Sequence, residues 1–154
     1  MKISASVSSS NSDHRVTVRT GAVPQSVAIA GKSDGKGSAI NGGEFLMLAL
    51  ATCYCNDLYR ESERLRIAID RVEVEASADF PGIGLSAQNI RYQASIVSSA
   101  LQSAIADLVR HTDTVAEVHN TIRNGAPVAL TTWLSRTLED APDTWTCRET
   151  VADG

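Results

Sequence analysis

GGEFLMLALATCYCNDLYRESERL, residues 42–65, is the stretch that decides how this 154-residue chain folds. Ten of the eleven positions from Phe45 to Cys55 are apolar, after which the run turns polar, with two cysteines two residues apart near the junction. Asn41, Gly42 and Gly43 lead into a helix whose first turn holds Glu44, where a carboxylate complements the exposed amide dipoles. Charged residues from Arg60 to Arg66 mark its emergence into water. Because the first half is apolar almost all round, the pattern predicts burial on every side. In a small chain that predicts a partner subunit covering part of the helix.

Outward from the helix the period changes. On the N-terminal side, KISASV alternates loosely, HRVTVRT puts Val16 and Val18 on one face against Arg15, Thr17 and Arg19, and QSVAIA follows Pro24 as a third short strand. GKSDGKG, residues 31–37, is glycine-rich without the spacing of a phosphate loop and reads as a turn. On the C-terminal side, IAIDRVEVEASADF alternates with Val72, Val74 and Ala76 inward, and NIRYQASIV pairs with it across the turn PGIG. ALQSAIADLVRH carries Leu101, Ile105 and Leu108 at helical spacing. TDTVAEVHNTIRNG predicts a second short helix, with a capping-box spacing at Thr114 and Glu117 and closure at Gly125. PVALTTWLSR reads as a last strand, and the tail from Glu139 has loop composition. Hairpins segregated from helices give an α+β class, in one domain spanning residues 1–154.

Composition narrows the function. With 43% hydrophobic and 21% charged residues the chain suits a packed globular core, and 14 basic against 18 acidic residues leave a net charge of −4 with no electrostatic footprint for nucleic acid or an anionic membrane. The start, MKISASVSSSNSD, lacks the apolar core of a secretory signal. The run from Phe45 falls short of the roughly 20 residues that cross a bilayer. A cytoplasmic protein with free thiols at Cys53, Cys55 and Cys147 is the expectation.

Helical geometry separates the two central cysteines, because residues at i and i+2 face about 200° apart. Cys55 shares its face with Leu48, Ala51 and Leu58 and reads as a small buried hydrophobe. Cys53 instead lies within roughly 60° of Asn56, Asp57 and Arg60, at the start of a polar stripe where a substrate could be held against an apolar wall. Two cysteines on opposite faces cannot chelate one ion, and His14, His111 and His119 show no ligand spacing with them, so no metal or other cofactor is expected. His119, the formal candidate for a base beside a catalytic thiol, reads as an exposed or interface residue next to Asn120.

NGGEFLMLALATCYCNDL resembles the central-helix signature of the OsmC/Ohr family, LRIAIDRVEVEASADF its next strand, and HTDTVAEVHNTIRNGAPVAL its late helix and final strand. The resemblance implies an intertwined α+β homodimer with the two long helices at its centre, and cysteine-based reduction of hydroperoxides, organic ones above all. It implies Cys53 as the peroxidatic cysteine, Arg15 as the nearest candidate for the family's thiolate-stabilising arginine and Glu44 as the carboxylate opening the helix, while the polar stripe beside Cys53 makes Asn56 and Asp57 the substrate-side candidates. Three departures stand out. Ala116 occupies the position of the family's resolving cysteine, which leaves the second half of a cycle to an external thiol or to Cys147. Gly43 stands ten residues before Cys53, where the hydroperoxide-resistance branch has its glutamate, and Glu44 stands nine before. Asp57, one turn after the thiol, opposes its ionisation unless Arg60 or a strand arginine neutralises it. Two functions follow: a thiol peroxidase acting through Cys53, or a non-catalytic dimer that uses the same pocket for a small apolar ligand.

Overall fold

The computed structural model describes residues 1–11 and 13–135, which form β1 (Ile3–Ser9), β2 (His14–Thr20), β3 (Val23–Val27), α1 (Gly42–Leu65), β4 (Arg71–Asp79), β5 (Gln88–Val97), α2 (Gln102–Val115) and α3 (Glu117–Arg123). They fall into two compact units. One comprises Met1–Asn41 with the described residues from Ala129 on, and the other is Gly42–Val128. No described helix is long and apolar enough to cross a membrane.

The first unit is an antiparallel sheet in the order β1-β2-β3. Its middle strand is the one whose alternation is clearest in the sequence, and Val16 is the buried residue there. The third strand starts earlier than expected. It runs through Pro24, which pairs with Arg19, rather than beginning after it. A proline has no N–H to donate, and an edge strand such as β3 tolerates that. GKSDGKG forms a turn closed by a bridge between Gly31 and Ser38, with Gly35 and Gly37 in the left-handed region. Residues 127–135, expected as a strand, carry none; the remainder of that segment and Cys147 lie outside the described residues.

The second unit packs α1 with the hairpin β4–β5 and the two short helices. Val72, Val74 and Ala76 alternate inward along β4 as the pattern requires, opposite Ile96, Ala94 and Tyr92 of β5. Tyr54, Leu58, Leu108 and Ala116 form the buried cluster, flanked by Ile67, Ile69, Val72, Val74, Tyr92, Ile96 and Val109. Fully burying a side chain the size of leucine is worth about 1.5–3 kcal/mol, so this cluster is the main anchor of the C-terminal half of α1. The N-terminal half is not enclosed within one chain. Leu48 is 55% exposed, and the buried positions begin at Leu50.

Both helix ends next to the site close in the same way. After α1, Arg66 N–H bonds to Glu63 O and Ile67 N–H to Ser62 O; after α3, Gly125 N–H bonds to Ile122 O and Ala126 N–H to Thr121 O. These are Schellman closures with Arg66 (φ 55°) and Gly125 (φ 59°) in the left-handed position. The boundary between α2 and α3 is later than expected. Thr114 lies in the last turn of α2, where its hydroxyl donates to His111 O instead of capping, and the chain breaks at Ala116 in an extended conformation. The serine-and-threonine preference for backbone bonding is satisfied one turn back, so the capping-box spacing is not used. All lysines of the sequence, Lys2, Lys32 and Lys36, lie in the first unit, and the basic residues of Gly42–Val128 are arginines and histidines.

Candidate functional site around Cys53

Position on α1 brings Cys53, Asp57 and Arg60 onto one stripe, as the 100° step dictates. Asp57 is buried, and it bridges its two neighbours. The Cys53 thiol donates to Asp57 Oδ2 at 3.3 Å, while Arg60 Nη1 donates to Asp57 Oδ1 at 2.5 Å. Arg60 also donates from Nε to Glu61 at 3.1 Å and approaches Glu117 of α3 at 3.7 Å. Glu117 was not among the residues the sequence nominates. It reaches the stripe because α3 restarts after the break at Ala116, and no intra-helix periodicity reports on a contact of that kind. The same restart brings the Val118 backbone N–H to the neighbourhood of the Cys53 sulfur, where it favours the ionised form.

Electrostatics at the sulfur favour the protonated form. Burial pushes the Cys53 thiol above its ordinary range; the Val118 N–H works against this, while the Asp57 and Glu117 carboxylates add to it. Arg60 satisfies Asp57 without touching the sulfur. The donor atoms of Cys53, Asp57 and Glu117 all lie within 4.8 Å of one another, a set compatible with a cation in principle. Arg60 already bridges the two carboxylates from the side.

Behind this stripe runs a second charged group. Glu61, also buried, accepts from Arg64 at 2.7 Å and lies 3.0 Å from His111 Nε2. The Arg64 and Arg60 guanidiniums hold its carboxyl down at about 2. On the inner side of α1 sits an aromatic group that the sequence reading placed wrongly. His119 is 3% exposed, not a surface residue, and neither ring nitrogen has a hydrogen-bond partner. Its ring lies 4.4 Å from that of Tyr92 and 5.5 Å from that of Tyr54. Burial, followed by the charge of Arg123, lowers the His119 pKa below the ordinary imidazole value. Tyr54 donates to Val109 O at 2.9 Å, and Tyr92 donates to Asp113, which Arg123 also engages. Burial and the Asp113 bond push the Tyr92 hydroxyl up to about 12.

The other sequence candidates on α1 lie away from this stripe or on its margin. Glu44 stands in the first turn of α1; because the helix begins at Gly42, the nine-residue separation keeps its side chain about 180° from that of Cys53. Asn56 is exposed on α1. Arg15 belongs to β2 of the first unit, where its Nε pairs with Asp13 at 2.5 Å. Cys55 is half-buried, and Cys53 and Cys55 are both free thiols. Ala116, at the position of the family's second cysteine, is fully buried among Tyr54, Leu58 and Leu108.

Comparison with known proteins agrees with the topology. The family model for OsmC-like proteins matches residues 35–131, well over half of the chain. Among solved structures, an OsmC-like protein from Mycoplasma pneumoniae superposes with a TM-score of 0.56 at 18% identity, covering 79% of this chain and 86% of its own. An organic hydroperoxide resistance protein from Elizabethkingia anophelis gives 0.54 at 18% identity, with 80% and 89% covered. One from Legionella pneumophila, described as an organic hydroperoxide resistance protein OsmC, gives 0.53 at 17%, with 80% and 90% covered. A search of curated proteins gives no match. With the matched span covering most of the chain and the α+β topology in agreement, the chain belongs to the family of OsmC-like proteins.

Proposed function

We propose that this protein reduces organic hydroperoxides through Cys53, as a cytoplasmic homodimer whose cycle uses one protein thiol and an external thiol reductant. The observation that carries this reading is the placement of Cys53: a free thiol on the long helix of an OsmC-family chain, hydrogen-bonded to a buried carboxylate that an arginine neutralises. The names of the Elizabethkingia and Legionella neighbours support a peroxide-related role. In the reaction the sulfur attacks the terminal peroxide oxygen, the O–O bond breaks, the alcohol leaves, and Cys53 remains as a sulfenic acid. An external thiol then condenses with the sulfenic acid, and a second thiol releases Cys53.

Titration of thiols with cumene hydroperoxide tests this directly. Cys53→Ser should abolish peroxide consumption, while Cys55→Ala should retain it with a modest loss of stability from packing. Equal loss in both variants would assign the chemistry to the wrong thiol. The raised pKa of Cys53 favours a second reading, in which the protein binds a small apolar ligand without chemistry. An unreactive native protein would select it.

A further inference from the structure

Resting on the reading of Cys53 as the peroxidatic thiol, we propose that Glu117 is a specificity-determining residue, which turns the site against anionic hydroperoxides and toward uncharged or cationic alkyl ones.

The Cys53 sulfur is flanked by carboxylates from two helices. One oxygen of Asp57 on α1, one of Glu117 on α3 and the sulfur all lie within 4.8 Å of one another. The two carboxylates differ in what they can do. Asp57 is buried and bonded both to the thiol and to Arg60, which makes it part of the fixed frame of the site. Glu117 is exposed, and its charge is open to whatever approaches the sulfur from water. Arg60 does not cancel that charge. Its guanidinium is shared among Asp57 at 2.5 Å, Glu61 at 3.1 Å and Glu117 at 3.7 Å, the last beyond hydrogen-bonding range.

Attack brings the terminal peroxide oxygen to about 3–3.5 Å from the sulfur. A charge on the substrate close to that oxygen is then a near neighbour of the Glu117 carboxylate. Like charges at such range raise the barrier and opposite charges lower it, while a neutral alkyl group is indifferent. This selection acts on the substrate and is separable from any effect on the sulfur. The same carboxylates also disfavour the thiolate. The thiolate is the nucleophile for every peroxide, however, so its fraction multiplies all rates equally and cancels when two substrates are compared on one protein.

The test compares the rate of sulfenic acid formation at Cys53 with three hydroperoxides: tert-butyl hydroperoxide, its analogue in which a carboxylate replaces one methyl group, and its analogue carrying a trimethylammonium group on that methyl. Glu117→Gln should raise the ratio of anion to neutral rates about fivefold at low ionic strength, the factor that a unit charge exerts through water at contact distance. The ratio of cation to neutral rates should fall by a similar factor. Glu117→Ala should repeat both shifts, because it removes the same charge without introducing an amide. In about 1 M salt, where screening acts within about 3 Å, native and variant ratios should converge, a behaviour that a merely structural role would not produce. Ratios that are the same in the native protein and in both variants at low ionic strength overturn the proposal, even if all three rates rise together. A native Cys53 that forms no sulfenic acid with any of the three peroxides overturns the peroxidase reading and this inference with it, an outcome distinct from unchanged ratios.

Discussion

His119 carries a buried imidazole with two unpartnered nitrogens, and its lowered pKa ties stability to pH. The unfolded chain takes up a proton near the ordinary value of 6.5, whereas the folded chain resists doing so. The contribution is therefore complete above that value and is lost as pH falls below it. We expect urea unfolding midpoints to decline from about pH 6.5 downward, and His119→Phe to remove that part of the decline. The variant should match or exceed the native protein by about 1 kcal/mol at neutral pH, because it deletes unsatisfied buried nitrogens while keeping a ring between Tyr54 and Tyr92. A decline that persists unchanged in His119→Phe would assign it elsewhere. The two halves of the site differ in how far they could be read from the sequence. Cys53, Asp57 and Arg60 were legible because helical phase alone aligns them. Glu117 and the burial of His119 were not, since both depend on where α3 restarts in space.

Helix ends show the same division at the scale of the element. Gly125 closes α3 in the left-handed conformation that its lack of a Cβ allows, and that ending was readable. Arg66 closes α1 by the same pair of hydrogen bonds but pays the steric penalty of a side chain at φ 55°. The left-handed conformation costs roughly 1–2 kcal/mol for such a residue, part of which glycine returns through the flexibility of its unfolded chain. Arg66→Gly should therefore stabilise the protein by about 0.5–1 kcal/mol in chemical denaturation. A destabilised variant would mean that the arginine side chain makes a compensating contact. The extent of α1 was legible from the glycines that precede it and the charged run that ends it, and the inward face of β4 because its apolar residues keep one period throughout. The start of β3 and the boundary between α2 and α3 were not, because pairing across β2 and a single extended residue at Ala116 set them.

At the scale of the whole molecule, the apolar N-terminal half of α1 is a surface that one chain leaves incompletely covered, with Leu48 exposed. If two copies bury it together, sedimentation of the native protein gives a dimer, and Leu48→Lys abolishes assembly or folding by placing an ammonium in the contact. A compact, soluble monomer of that variant would contradict an obligate dimer. The distribution of basic side chains has a practical outcome as well. With lysines confined to positions 2, 32 and 36, amine-directed dyes, biotin and surface couplings attach within the first unit and leave the thiol-bearing helix chemically untouched. A lysine-specific protease likewise releases everything after Lys36 as a single fragment containing Cys53, Cys55 and Cys147, so the oxidation state of every thiol in the chain can be weighed in one peptide.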